Sequence, residues 1–150
     1  MATPLYFEDL AVGQTFGTGT VAVEPGAVKA FAAEFDPQPF HLDEDAARAS
    51  LFGGLVASGW HTAALTMRLL VEGELKIVVG LIGLGVEELR WPRPVRPGDV
   101  LRVESEVLGL RPSNSQPDRG IARVRNTTLN QDGQAVMVQV VSMIVPRRPS

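Results

Sequence analysis

The chain has 150 residues, of which 45% are hydrophobic and 21% are charged, and its formal net charge is −3. These values are typical of one soluble globular domain, so we expect a single domain over residues 1–150. The net negative charge argues against general nucleic-acid binding, and the absence of cysteine excludes a disulfide scaffold, a cysteine-based zinc site and a cysteine nucleophile.

The first ten residues do not form the apolar run of a signal peptide, because Pro4, Glu8 and Asp9 interrupt it. No stretch is long enough to span a membrane. We therefore expect a cytoplasmic protein without membrane contact. With two histidines and no H-x-x-x-H spacing, we expect no metal site and no other cofactor.

The first elements are a short strand and an amphipathic helix. The strand is predicted over Thr15–Val23. The helix is predicted to begin after Glu24 with Pro25 at its first position, where the missing N–H has no helical partner to lose. Its apolar residues follow the i, i+3, i+4, i+7 pattern of a helix with one buried face: Val28, Phe31, Ala32 and Phe35.

The helix is followed by Asp-Pro-Gln-Pro-Phe-His at residues 36–41. Proline fixes its own φ and favours an extended conformation in the residue before it, so we predict that Pro37 and Pro39 keep this segment from becoming helical. A rigid segment would hold Asp36 and His41 beside one point of a substrate. A carboxylate and an imidazole form a competent pair for general acid–base chemistry.

Two further helices are predicted. Acidic residues at 43–45 begin a short one, and after the glycine-containing loop at 52–59 a third helix runs from Trp60 to about Glu72. This third helix is nearly uncharged, so we expect it to be buried on most faces. Its apolar side is assigned to Ala64, Leu65, Leu69 and Leu70.

Four strands complete the chain, at Val78–Arg90, Asp99–Leu110, Gly120–Asn130 and Ala135–Val145. The segment Gln131-Asp132-Gly133 is a tight-hairpin signal. Helices followed by a run of antiparallel strands indicate an α+β fold rather than alternating βαβ units, with the apolar helix wrapped by the sheet.

Eight arginines and four acidic residues lie between Arg90 and Arg125. A solvated sheet face explains most of this positive surplus. The alternative is that a few of these arginines bind a phosphate-bearing ligand.

Three segments together resemble the MaoC-like dehydratases, which include the (R)-specific enoyl-CoA hydratases: Phe31–Asp43, Phe52–Trp60 and Pro94–Asp99. The resemblance implies a hot-dog fold, in which an antiparallel sheet wraps a long central helix. It also implies hydration of a 2-enoyl-CoA to a 3-hydroxyacyl-CoA, or the reverse dehydration. The catalytic Asp and His of the family fall on Asp36 and His41, and its helix-start glycine, whose N–H polarises the thioester carbonyl, falls on Gly59.

The chain departs from the family pattern at three of these positions. Gln38 replaces the usual Asn, Ser58 stands where His is common, and Trp60 stands where Met is common. We expect these three residues and Phe40 to form the substrate site. Ser58 is not surrounded by a nucleophile elbow, so a helix N-cap is its expected role.

Other interpretations remain open from the residues alone. Asp36 could be a helix-end turn residue and His41 a structural histidine. The chain could also be a hot-dog acyl-CoA thioesterase, or an acyl-thioester binding subunit without catalysis. The resemblance further implies a homodimer or a dimer of dimers, in which the partner covers an unpaired sheet edge.

Overall fold

A computed structural model of the protein describes residues 3–150. Its helices are α1 Pro25–Phe35, α2 Pro39–Leu42, α3 Glu44–Arg48 and α4 Gly59–Glu72, and its strands are β1 Thr15–Gly17, β2 Val21–Ala22, β3 Ile82–Arg90, β4 Val100–Pro112, β5 Arg119–Leu129 and β6 Ala135–Pro146. The long strands and the start of α1 lie within three residues of the predicted bounds, apart from β3, which starts four residues later than predicted.

The strands form one antiparallel sheet in the order β1-β4-β5-β6-β3, and β2 pairs with the first two residues of β4. Helix α4 packs on this sheet through Leu69 and Leu70, which share a core cluster with Leu101 and Val103 of β4 and Val136 of β6. The α+β hot-dog architecture expected from the sequence is therefore confirmed.

A buried polar contact also joins the helix to the sheet. The hydroxyl groups of Thr66 on α4 and Thr128 on β5 lie 2.6 Å apart, and both residues are fully buried. Each hydroxyl would otherwise lack a partner in the core, where an unpaired polar group is destabilising. The contact therefore fixes the position of α4 along the sheet.

Local sequence signals account for the ends of α1. Pro25 is its first residue, and Asp36 caps its carboxyl end with an N–H that donates to the carbonyl of Ala32. Val28 and Ala32 are buried as the helical pattern predicts, whereas Phe35 is exposed.

Two predictions about local structure were wrong in part. Residues 18–20 separate β1 from β2, so the predicted strand Thr15–Val23 is two short strands. Gln38 is extended as predicted, but Pro39 begins α2, and His41 lies on that helix. Proline at a first helical position is favourable, so Pro39 starts a turn of helix instead of preventing one.

Helix α4 is buried on one face rather than on most of its faces. Its buried residues include Thr62 and Thr66 beside Leu69 and Leu70, whereas Ala64 is exposed. The larger exposed apolar side chains on its outer face are Trp60, Met67 and Val71. Among residues 3–150, no helix combines the length and the apolar character needed to cross a membrane.

The Thr66–Thr128 contact yields a prediction about stability. Thr66→Val leaves the Thr128 hydroxyl buried without a partner, so we expect a loss of about 1–3 kcal/mol in the free energy of unfolding. The double variant Thr66→Val/Thr128→Val removes both hydroxyls and should be closer to wild type than Thr66→Val alone. Urea unfolding of the two single variants and the double variant measures this coupling. Thr127→Val is the matched control on the same strand, and additive losses in the double variant would contradict the prediction.

Candidate active site

The Asp36 carboxylate is contacted by three polar side chains. The Gln38 side-chain amide donates to Oδ1 at 2.6 Å, and the Ser58 hydroxyl donates to Oδ2 at 2.7 Å. His41 Nε2 lies 3.2 Å from the same Oδ2. Asp36 is therefore held by residues from α2 and from the start of α4, in addition to its own position at the end of α1.

These contacts favour the ionised form of Asp36. The Ser58 hydroxyl is the largest influence and holds the pKa of Asp36 below its ordinary value. Partial burial opposes this shift, while the Gln38 amide and His41 add to it. Hydrogen bonds to a carboxylate stabilise its charge, so Asp36 is an anion at neutral pH.

The orientation of His41 is set by its second ring nitrogen. Nδ1 lies 2.7 Å from the carbonyl oxygen of Val56, and the imidazole is only 5% exposed. A carbonyl can only accept, so we assign a proton to Nδ1, which leaves Nε2 facing Asp36. The ring of Phe40 packs edge-on against the imidazole at 4.6 Å between centroids.

The contact between His41 and Asp36 requires a shared proton. An unprotonated Nε2 and an ionised carboxylate oxygen are both acceptors and would repel each other at 3.2 Å. Because the Asp36 carboxylate is ionised, the proton of a direct contact lies on Nε2, and with Nδ1 also protonated the imidazole is a cation. The pair thus presents a carboxylate and an Nε2–H side by side.

The start of α4 presents a free backbone amide beside this pair. The Ser58 hydroxyl accepts from the amide of Trp60, and the Ser58 carbonyl accepts from the amides of His61 and Thr62. The Gly59 N–H makes no such bond within residues 3–150. A free amide at a helix start, supported by the helix dipole, is suited to binding an oxyanion.

One cavity of about 380 Å³ brings most of the candidate residues together. Its lining includes Asp36, Gln38, Phe40, His41, Gly59 and Trp60, together with Phe52, Val56, Trp91 and Arg93. Ser58 is fully buried and contacts Asp36 outside this lining. Its observed contacts are with Asp36 and the α4 backbone, as expected for an N-cap.

Trp91 is a lining residue that sequence reasoning missed. Its indole Nε1–H donates to the carbonyl oxygen of Gly59 at 3.0 Å, and its ring meets that of Trp60 edge-on at 5.3 Å. The only local signal was an aromatic residue before the proline-rich connection. Its contact with Gly59 spans 32 positions in the sequence.

The arginines between positions 90 and 125 are not equivalent. Arg93 lines the cavity, whereas Arg102, Arg119 and Arg123 form ion pairs with acidic side chains. Arg96 donates to the carbonyl oxygen of Phe52. A phosphate contact stays a prediction, and Arg93 is the residue of this set that faces the cavity.

The second histidine lies behind the site. His61 is buried on α4, stacks on Phe31 at 4.9 Å, and has an Nδ1 atom without a hydrogen-bond partner among residues 3–150. Burial lowers the pKa of His61. It is absent from the cavity lining, so the acid–base pair contains one histidine, His41.

Comparison with known proteins identifies relatives over most of the chain. Residues 8–130 match the family described as MaoC like domain. A solved structure of a MaoC-like dehydratase from Rhodospirillum rubrum is 58% identical with a TM-score of 0.94, and the match covers 97% of this chain and 99% of that one.

Two curated relatives have named activities. Mesaconyl-CoA hydratase of Cereibacter sphaeroides is 34% identical over 148 residues, which cover 95% of this chain and 41% of the relative. The 3-hydroxyacyl-thioester dehydratase Z of Mycobacterium tuberculosis is 32% identical over 143 residues, which cover 90% of this chain and 89% of the relative. The shared region is thus most of the second protein and less than half of the first.

The contact between Ser58 and Asp36 predicts a measurable shift in acidity. Ser58→Ala removes the largest cause of the lowered pKa, so we expect the pKa of Asp36 to rise toward its ordinary value. Carbon-13 NMR titration of the Asp36 carboxyl measures this. At pH 7 the depressed pKa contributes stability that is lost as the pH falls through the folded-state pKa. In Ser58→Ala the pKa of Asp36 in the folded protein should move closer to its pKa in the unfolded chain. The difference in unfolding free energy between pH 7 and acidic pH should therefore be smaller than in wild type.

The control separates this effect from the loss of a helix cap, which by itself costs about 0.5–2 kcal/mol. Asp43 caps α3 by accepting from the amide of Asp45. Asp43→Ala should therefore lower stability without moving the pKa of Asp36. An unchanged Asp36 titration in Ser58→Ala would contradict the assigned role of Ser58.

Proposed function

The chain belongs to the MaoC-like dehydratase family, and on that premise we propose that it catalyses the reversible hydration of a 2-enoyl-CoA to a 3-hydroxyacyl-CoA. One observation supports this most directly. A single cavity holds an ionised carboxylate, an imidazole oriented toward it and the free amide of a helix start. Addition of water to a conjugated thioester requires a base, an acid and stabilisation of an enolate-like oxygen.

In the hydration direction, Asp36 accepts a proton from the attacking water. The water O–H bond breaks as the oxygen bonds to the β-carbon, and the π electrons move toward the thioester oxygen. His41 then donates its Nε2 proton to the α-carbon. The carboxyl proton returns from Asp36 to His41 across the 3.2 Å contact, which restores the starting state.

The lowered pKa of Asp36 supports this division of roles. A carboxylate that is ionised at neutral pH is suited to accept the first proton, and we assign the donation to carbon to His41. Gln38 holds Oδ1 of Asp36 through a 2.6 Å hydrogen bond. The other oxygen then lies between Ser58 and His41.

Gly59 supplies the amide that stabilises the negative charge on the thioester oxygen. The N–H belongs to the first residue of α4, where the helix dipole favours an anion. Loss of one oxyanion donor typically lowers the rate about 100-fold or more. The aromatic side chains of Phe40 and Trp60 provide apolar cavity walls for the substrate.

The names of the relatives support the substrate class. One is a hydratase of mesaconyl-CoA and another is a dehydratase of 3-hydroxyacyl thioesters. These are the two directions of one reaction at carbons 2 and 3 of a thioester. The proposed chemistry needs proton transfer and charge stabilisation, both supplied by residues of the chain. The proposed substrate is a coenzyme A thioester, and the proposed location is the cytoplasm.

We also propose that the active form is a homodimer or a dimer of dimers. Strand β3 is an edge of the sheet, paired with β6 on one side only. Its side chains Ile82, Leu84 and Val86 are between 43% and 56% exposed. An exposed apolar edge strand favours pairing with another chain, and pairing with β3 of a second copy would extend the sheet.

The proposed reaction is tested by loss of the absorbance of the conjugated thioester with crotonyl-CoA. We expect turnover by wild type and a loss of at least about 100-fold in kcat/KM for Asp36→Asn and for His41→Ala, because each removes one proton-transfer group. Asp45→Asn is the matched control, since Asp45 is an exposed carboxylate on α3 paired with Arg48. Circular dichroism and thermal unfolding establish that each variant is folded.

The outcomes separate the competing functions. Release of free thiol from crotonyl-CoA would indicate the thioesterase, since hydration leaves the thioester intact. Binding of crotonyl-CoA and of longer enoyl-CoA substrates without turnover would indicate the non-catalytic subunit. Full activity in both Asp36→Asn and His41→Ala would exclude the proposed site.

The proposed assembly predicts that a charged residue in the edge strand β3 lowers the mass of the protein in solution. Wild type should sediment at a multiple of the 16.1 kDa chain mass, whereas Val86→Lys should dissociate because it places a charge on the exposed face of β3. Val12→Lys is the control, because Val12 is 65% exposed and lies outside the edge strand. A monomeric wild type in sedimentation equilibrium would overturn this part of the proposal.

A further inference from the structure

Trp91 packs directly on the residue that supplies the proposed oxyanion amide. Its indole N–H donates to the Gly59 carbonyl oxygen at 3.0 Å. A Cβ atom placed on Gly59 would lie 2.5 Å from Cε2 of the Trp91 ring, a separation that real Cβ atoms essentially never show. The ring therefore occupies the space next to the Gly59 Cα, and residue 59 must be glycine while the ring remains there.

We propose that Trp91 is a positioning residue that fixes the direction of the Gly59 N–H, an inference that rests on the proposed hydratase function. Glycine has the widest backbone freedom of any residue, and the first turn of a helix has few internal hydrogen bonds. An amide that stabilises an oxyanion must nevertheless be held close to its productive geometry. The Ser58 carbonyl, which shares a peptide plane with the Gly59 N–H, accepts from the amides of His61 and Thr62, and Trp91 adds a restraint on the Cα and carbonyl of Gly59.

The two sides of Gly59 are held by different parts of the fold. On the amino side, Ser58 is bonded to Asp36 and caps α4. On the carboxyl side, Trp91 bonds the Gly59 carbonyl and its ring limits movement of the Cα. The free N–H lies between these restraints, and the contact with Trp91 limits how far it can turn relative to the Asp36–His41 pair.

The position of Trp91 depends in turn on the edge strand. In β3, Glu87 pairs with Val140 of β6 and Arg90 pairs with Val138. The two β3 residues are three positions apart, whereas their partners in β6 are two positions apart. The extra residue makes a β-bulge, in which Glu88 has a φ of +53°. Bulges change the direction of a strand and of its side chains. The indole of Trp91, which directly follows β3, thus links Gly59 to the edge strand proposed for dimerisation.

Glycine at position 59 has two possible explanations, and they predict different results. If glycine is needed only so that the substrate can approach the backbone, any side chain there will block the site. If glycine is needed because the Trp91 ring lies there, removing the ring should make alanine tolerable. The Trp91 hypothesis therefore predicts strong non-additivity between positions 59 and 91.

The kinetic test compares wild type with Trp91→Phe and Trp91→Ala on crotonyl-CoA. Trp91→Phe keeps an aromatic ring and removes the N–H donor, so we expect kcat to fall about three- to ten-fold with KM changed less than about two-fold. Trp91→Ala should lose more. Gly59→Ala should be nearly inactive, and Gly59→Ala/Trp91→Ala should exceed it at least about five-fold in kcat.

The matched control is a second aromatic residue that packs on a glycine. The ring of Phe7 lies against Gly120, where a Cβ would be 2.3 Å from Cε1, and neither residue lines the cavity. Phe7→Leu should lower the Tm without lowering kcat. An unchanged kcat in Trp91→Phe, or a double variant no more active than Gly59→Ala, would overturn the proposal.

A second readout does not depend on activity. Nitrogen-15 relaxation gives the order parameter of the Gly59 N–H, which should be near the rigid value of about 0.85 in wild type and lower in Trp91→Phe. Equal order parameters would overturn the positioning role. Absence of turnover in wild type would instead contradict the proposed function, and the relaxation data would still decide what Trp91 does.

Discussion

The hydrogen bond from Ser58 to Asp36 is the interaction on which the arrangement of the site depends. One buried hydroxyl donates to the Asp36 carboxylate and accepts from the amide of Trp60 at the start of α4. It thereby joins the acid–base pair to the helix start that presents the Gly59 amide. Without it, the end of α1 and the start of α4 would share no direct polar contact at the Asp36 carboxylate, and Asp36 would lose the largest influence on its pKa.

The neighbours of Ser58 extend the same constraint. In the segment Val56–Gly59, each of four consecutive residues is bonded to a different part of the chain. The carbonyl of Val56 accepts from His41, and the amide of Ala57 donates to Val95. Ser58 bonds Asp36, and the Gly59 carbonyl accepts from Trp91. These bonds hold the segment in place, and its residues Val56, Ala57 and Gly59 line the cavity.

The sheet and α4 provide the scaffold for that segment. Leu69, Leu70 and the Thr66–Thr128 contact hold α4 against β4, β5 and β6. The start of α4 is therefore fixed relative to the core, and the backbone amide of Gly59 is held in place with it. The same sheet ends in the apolar edge strand β3, from which Trp91 returns to the site. The fold thus places the proposed catalytic amide between the core and the proposed dimer edge.

The features that the sequence determined by itself are those set by short-range physics. Pro25 begins α1, Gly133 adopts a φ of +73° in the last hairpin, and the long strands follow from their residue patterns. The spacing of Asp36 and His41 predicted an acid–base pair, and the structure brings the two side chains within 3.2 Å. The resemblance to a known family predicted the reaction and the role of Gly59.

Tertiary structure decided how these residues act together, because the contacts involved join segments far apart in the chain. Ser58 and Asp36 are 22 positions apart, and no local pattern shows that their side chains meet or that the contact lowers the pKa of the carboxyl group. The same holds for Trp91, which follows the bulge in β3 and contacts Gly59 from 32 positions away. Helix α2 is a local exception, because Pro39 was predicted to prevent a helix and instead begins the one that carries His41.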